Sequence, residues 1–204
     1  TLGKDFINGE PCAMILGDNI FYGNGFTKLL KQAAEDARNG RATVFGYYVN
    51  DPERFGVVDF DKDGKAISIE EKPEHPKSNY AVTGLYFYPA GVSEKAAQVK
   101  PSARGEVEIT SLNDMYLQEG NLDVQLLGRG YAWLDTGTMQ SLVDASNYVK
   151  MVEERQGVSI SAPEEIAYIH GWIDKDKLLE AAKHYGKSPY GKHLKSVAEG
   201  KLRY

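Results

Sequence analysis

The chain has 204 residues, 42% of them hydrophobic and 26% charged, with a net charge of −5. Enough apolar material is present to exclude an intrinsically disordered chain, and the acidic balance argues against a broad nucleic-acid surface. No apolar run approaches the ~20 residues of a membrane helix, so no membrane partner is expected. The single cysteine, Cys12, permits no intrachain disulfide and agrees with a reducing cytoplasm.

The sequence opens on Thr1, with neither an initiator methionine nor the basic and apolar regions of a secretory signal. It therefore reads as a fragment or a processed product. Cys12 to Leu16 is a continuous apolar run stopped by Gly17-Asp18-Asn19, the pattern of a strand buried on both faces as in a parallel sheet. Phe26 to Arg38 repeats apolar residues at helical spacing and closes at Asn39-Gly40. Ala42 to Val49 is a β-rich run, so these three segments predict a βαβ unit with parallel pairing.

Asn50-Asp51-Pro52-Glu53 is a turn signal. Val57 to Phe60 and Ala66 to Glu70 flank Asp61-Lys62-Asp63-Gly64, which predicts a hairpin. Tyr80 to Tyr88 follows as a strand. Glu94 to Val99 and Ile109 to Glu119 follow as helices, and Leu122 to Leu127 and Tyr131 to Leu134 as strands. Gln140 to Gln156 is a long helix with a stripe at Leu142, Ala145, Val149 and Val152. Beyond Gly157 the pattern is helical, with candidates at Pro163 to Ile169, Lys175 to Tyr185 and Tyr190 to Glu199. The expected division is an α/β body over 1–156 and a helical extension over 157–204.

Two acids end strands. Asp18 follows the first apolar run, and Asp135 closes Tyr131-Ala132-Trp133-Leu134. Ligands of open α/β sheets bind beyond the carboxyl ends of strands, and Mg²⁺ takes few protein carboxylates alongside phosphate oxygens and water. The same residues would also serve as an ordinary turn at Asp18, or as a helix cap at Asp135 or Thr138. Leu134-Asp135-Thr136-Gly137 matches the aspartic-protease signature, but the long helix that follows does not suit that nearly all-β fold. Glu70-Glu71-Lys72-Pro73 ends another strand, where Lys72 either neutralises a phosphate or belongs to a solvated edge. Arg104 carries a planar fork suited to phosphate, ahead of Glu106, Glu108 and a helix. Phe55-Gly56 lets backbone approach a ligand closely. The four histidines fall at no metal-ligand spacing. Neither GxGxxG nor a Walker A sequence occurs, so a nucleotide's main phosphate loop is not in these residues.

Together these segments resemble the bacterial glucose-1-phosphate thymidylyltransferases. The matching stretches are LGDNIFYG (16–23), VNDPERFGVV (49–58), SIEEKPEHPKSNYAVTGLYFYP (68–89), KPSARGEVEIT (100–110), GRGYAWLDTGT (128–138) and EERQGVSISAPEEIA (153–167), in the family's order. Phe55 stands where the family usually has tyrosine, and the family's upstream segment, with its glycine-rich loop, catalytic lysine and base-reading residues, is not represented. The resemblance implies a Rossmann-like mixed sheet flanked by helices, the nucleotide-diphospho-sugar transferase fold, cut short at the N-terminus. It implies that a glucose 1-phosphate oxygen attacks the α-phosphorus of dTTP, with Asp18 and Asp135 holding Mg²⁺ and Lys72 and Arg104 the sugar phosphate. It places Asn19, Phe55, Gly56, Glu71 and Val82 on the sugar and Trp133 in the pocket wall. It further implies a homotetramer serving dTDP-rhamnose synthesis, with dTDP-rhamnose inhibiting at Gly23, Arg129, Ala162, Glu165 and Ile166.

Overall fold

The computed structural model describes residues 2–102 and 104–202. Two compact units divide the chain, Thr1–Ser141 and Leu142–Tyr204. The first unit begins with a single helical turn, α1 (Lys4–Ile7), and β1 (Cys12–Ile15). It continues through β2 (Asn19–Gly23), α2 (Phe26–Arg38), β3 (Ala42–Tyr48), β4 (Gly56–Phe60), β5 (Ala66–Glu71) and β6 (Tyr80–Tyr88). Then come α3 (Val92–Ala96), α4 (Ile109–Gln118), β7 (Leu122–Leu127) and β8 (Tyr131–Asp135).

A mixed sheet runs in the order β5-β4-β6-β3-β7, with β1 also on β6. The β4–β5 hairpin turns at Gly64, whose φ of +78° needs glycine, and its register sets Gly56 opposite Glu71. Strand alternation sorts the core onto two faces. Val44, Tyr86 and Tyr88 join Val92, Leu112 and Tyr116 under α3 and α4. Phe45, Leu85 and Phe87 point the other way and pack with Ala33, Leu29 and Leu30 of α2. The sheet is thus covered on both faces, as a Rossmann-like architecture requires.

Two expectations about the first strand are corrected. β1 does not pair with β3. Antiparallel β6 lies between them, pairing Cys12–Ile15 with Leu85–Tyr88 on one side and β3 on the other. The parallel partner of β3 is β7, from Ala42 opposite Leu122 to Tyr47 opposite Leu127. Nor is β1 buried: Ala13, Met14 and Ile15 are exposed, because β6 is its one strand partner among the described residues. A continuous apolar run reports hydrophobicity, not the number of neighbours that will cover it.

β2 was not expected, because Gly17-Asp18-Asn19 reads as a turn. It forms a separate antiparallel ribbon with β8, in register from Asn19 opposite Asp135 to Gly23 opposite Tyr131.

The boundary between units falls within α5 (Met139–Gln156), whose Ala145 and Val152 are buried while Leu142 is exposed. In the second unit, α6 (Pro163–Ile169), α7 (Lys175–Tyr185) and α8 (Pro189–Ala198) follow the expected positions closely. Leu178, Ala182, Leu194, Val197 and Ala198 form their core. No described helix is long and apolar enough to cross a membrane.

Candidate active site

The β2–β8 ribbon brings the two strand-end acids together. The Asp18 carbonyl accepts from both the backbone N–H and the hydroxyl of Thr136, each at 2.9 Å. Asp135, one position before Thr136, stands across from Asn19. The helix-cap reading of Asp135 fails on geometry. The Thr138 hydroxyl accepts the Ser141 N–H at 3.1 Å at the start of α5, and the Asp135 carboxylate has no hydrogen bond or ion pair among the described residues.

Both acids line a cavity of about 210 Å³, together with Asn19, Phe55, Gly56, Glu71, Lys72, Val82 and Trp133. These are nine of the residues singled out from sequence, contributed by β2, β4, β5, β6, β8 and the loops beside them. Arg104 is not in the lining. It stands beside it, with its guanidinium 4.0 Å from Glu71, 3.5 Å from Glu106 and 3.7 Å from Glu108.

Local backbone chemistry sets each wall. Lys72 follows β5 directly, at a φ of +43°, and its N–H donates to the Phe55 carbonyl at 2.9 Å. Its ammonium has no ion pair among the described residues, so the cavity wall keeps one uncommitted cation. Glu71 accepts a hydrogen bond from the buried Thr110 hydroxyl at the start of α4. Gly56 leaves room for that contact, since a β-carbon there would lie 2.9 Å from the Thr110 hydroxyl and 3.3 Å from Glu71 Oε2. The rings of Phe55 and Tyr47 meet Trp133 edge-on at 5.1 and 5.9 Å. Burial, with the Glu71 charge nearby, pushes the Tyr86 phenol up to about 12, so this lining hydroxyl stays protonated.

Thr110, Gly84 and Tyr86 escaped sequence reasoning. A threonine opening a helix is indistinguishable from a cap. An isolated glycine inside the Tyr80–Tyr88 strand was the usable signal for Gly84, since it marks a bulge or a close approach.

The carboxylates of Asp18 and Asp135, lining one cavity with Lys72, are of the chemistry that suits a hard cation with few protein ligands. No described group of three or more histidine, cysteine or carboxylate side chains forms a fuller metal cage. The remaining positions of interest lie elsewhere. Gly23 sits at the far end of the ribbon, where a β-carbon would strike the Tyr131 ring at 2.2 Å. Arg129 lies in the β7–β8 turn, and Ala162, Glu165 and Ile166 are in the second unit.

A doubly covered mixed sheet with carboxylates and a lysine gathered at strand ends matches the architecture in which open α/β sheets place their ligand sites. The chain belongs to the nucleotidyl transferase family, whose model matches residues 1–151. Within it, the chain is 56% identical over 198 residues to a glucose-1-phosphate thymidylyltransferase of Xanthomonas campestris, covering 97% of this chain and 66% of that protein. A Mycobacterium tuberculosis protein of the same name is 49% identical over 199 residues, 98% of this chain and 68% of its own length. A Bacillus anthracis structure, described as a glucose-1-phosphate thymidylyltransferase in complex with a sucrose, superposes with a TM-score of 0.61 at 40% identity. That match covers 72% of this chain and 57% of that one. The chain thus spans about two thirds of the length of the curated relatives it matches.

Proposed function

We propose that the cavity is the sugar-phosphate half of a nucleotidyl-transfer site that joins glucose 1-phosphate to dTTP. An oxygen of the sugar phosphate forms a bond to the α-phosphorus. The bond from that phosphorus to its bridging oxygen breaks, and pyrophosphate leaves with the electron pair. A phosphate monoester has a second pKa of about 6, so the nucleophile is already ionised at neutral pH and no side chain need remove a proton. What remains for the protein is alignment and neutralisation of mutually repelling phosphates.

In this reading Lys72 and Arg104 hold the sugar phosphate. Gly56, Val82, Asn19 and Glu71 meet the sugar hydroxyls, Glu71 as an acceptor, with Phe55 and Trp133 as walls. Asp18 and Asp135 hold Mg²⁺, which when bound offsets phosphate charge. Convergence of Asp18, Asp135, Glu71 and Lys72 on one cavity carries the reading, and the names of the relatives support the substrate pair. The reading extends to a cytoplasmic homotetramer in dTDP-rhamnose synthesis, with dTDP-rhamnose as a feedback inhibitor.

The 204 residues by themselves are expected to bind glucose 1-phosphate without making dTDP-glucose, because they contain no glycine-rich loop to cradle a triphosphate. Calorimetric titration of the chain with glucose 1-phosphate, alongside a pyrophosphate-release assay with dTTP or UTP, tests this. Absence of glucose 1-phosphate binding would overturn the reading. Pyrophosphate release above an Asp18→Asn blank would overturn the claim of inactivity.

A further inference from the structure

We infer that Trp133 and Gly84 are positioning residues for the Asp18 carboxylate, acting through the side chain of Asn19. The Asn19 Oδ1 accepts two hydrogen bonds, from the Gly84 N–H at 3.0 Å and from the Trp133 indole N–H at 2.6 Å. Both are obligate donors, so the atom between them must be the oxygen. The Nδ2 must then face the other way, where it donates to Asp18 Oδ1 at 2.9 Å. The amide cannot flip without breaking all three bonds and leaving the buried indole N–H without an acceptor. Asp18 is thereby held by one oxygen, leaving Oδ2 for a ligand. Directly opposite Asn19, on the same face of the ribbon, is Asp135.

β6 is built to supply the first donor. Between Val44 opposite Tyr86 and Gly46 opposite Val82, two steps along β3 span four along β6. This bulge turns the Gly84 N–H away from β3 and toward Asn19, the re-aiming that bulges beside sites perform. The Gly84 carbonyl meanwhile accepts the Leu16 N–H at 2.8 Å, fixing the chain just before Asp18. Glycine is required there, because a β-carbon would lie 2.6 Å from Asn19 Oδ1. Three of the amide's four bonding positions are committed, so Asn19 retains one N–H for a sugar hydroxyl.

The inference rests on the proposed cation site, and Mn²⁺ is the probe. Mn²⁺ affinity of the 204-residue chain is measured for wild type, Trp133→Phe, Asn19→Ala and the double variant. Each single change is expected to weaken Mn²⁺ binding about tenfold, the scale of one hydrogen bond to a charged group, with the double variant no weaker than Asn19→Ala alone. In parallel, the two indole N–H signals are followed by NMR after ¹⁵N-tryptophan labelling. The Trp133 signal should exchange with solvent more slowly than that of Trp172, which is 73% exposed. It should speed up in Asn19→Ala and in Gly84→Ala while the thermal unfolding midpoint and the dispersion of the backbone amide spectrum stay close to wild type, a pattern that global unfolding would not give. Additive losses, an unmoved Trp133 signal, or wild-type Mn²⁺ affinity in Trp133→Phe would each overturn this inference alone. A wild-type chain that binds no Mn²⁺ would overturn the cation reading with it.

Discussion

Lys72 holds a left-handed backbone, φ +43°, against the Phe55 carbonyl that accepts its N–H at 2.9 Å. An L side chain at such an angle costs roughly 1 kcal/mol, and strain of this kind persists where a side chain has to be aimed. Lys72→Gly should therefore keep the fold, or raise unfolding free energy by up to about 1 kcal/mol, while losing glucose 1-phosphate binding. Chemical denaturation and calorimetry of the same variant would read the two effects separately. Lowered stability with retained binding would show that Lys72 serves the fold.

Glu71 depends on Thr110 and on the missing β-carbon of Gly56. Thr110→Val keeps the volume but removes the hydroxyl that bonds Glu71. A loss of about 1.5–3 kcal/mol of sugar-binding free energy is expected, the range for hydrogen bonds to charged groups. Gly56→Ala should be worse, because its β-carbon meets both partners of that bond. Affinity for glucose 1-phosphate compared with that for inorganic phosphate checks the assignment. Equal losses for both would place Glu71 outside the sugar pocket.

Most of the element order was legible because helical spacing, turn residues and β-rich runs were each unambiguous, as at Phe26–Arg38 and Lys175–Tyr185. Pairing was not. Whether Cys12–Ile15 lies beside β3 or β6 depends on contacts far along the chain, and local patterns do not encode them. Local sequence alone marks the acids, Lys72 and Glu71 as strand-end residues. It does not mark the hydroxyl behind Glu71 or the amide behind Asp18, because a side chain that acts through another has no spacing signature.

In the second unit, Glu164 accepts from the hydroxyls of Tyr190 and, at 3.0 Å, Tyr185. The Tyr190 bond chiefly, with help from Tyr185 and the charge of His184, holds its carboxyl below the usual carboxylate range. A depressed folded-state pKa stabilises above the unfolded value, and that contribution is lost as pH falls through the folded one. Packing of α6 on α7 and α8 should therefore weaken below roughly pH 4.3, the ordinary glutamate value. In Glu164→Gln the acid-side slope in thermal stability between pH 5 and 3 should flatten. An unchanged slope would assign acid sensitivity to other groups.

Ile15 is 58% and Met14 38% exposed on an edge strand. Such edges invite pairing with other chains. Sedimentation velocity should show concentration-dependent association that Ile15→Lys reduces. A wild-type chain that stays monomeric at high concentration would count against this.

The central claim is that Asp18, Asp135 and Lys72 serve one ligand and one cation in a shared cavity. Binding of glucose 1-phosphate titrated with and without Mg²⁺ tests it most directly, because two ligands of one site must be thermodynamically coupled. Mg²⁺ should tighten glucose 1-phosphate binding by about tenfold, and Asp135→Asn should abolish that enhancement while leaving the Mg²⁺-free affinity near that of wild type. The same affinity with and without Mg²⁺ in the wild-type chain would contradict the account.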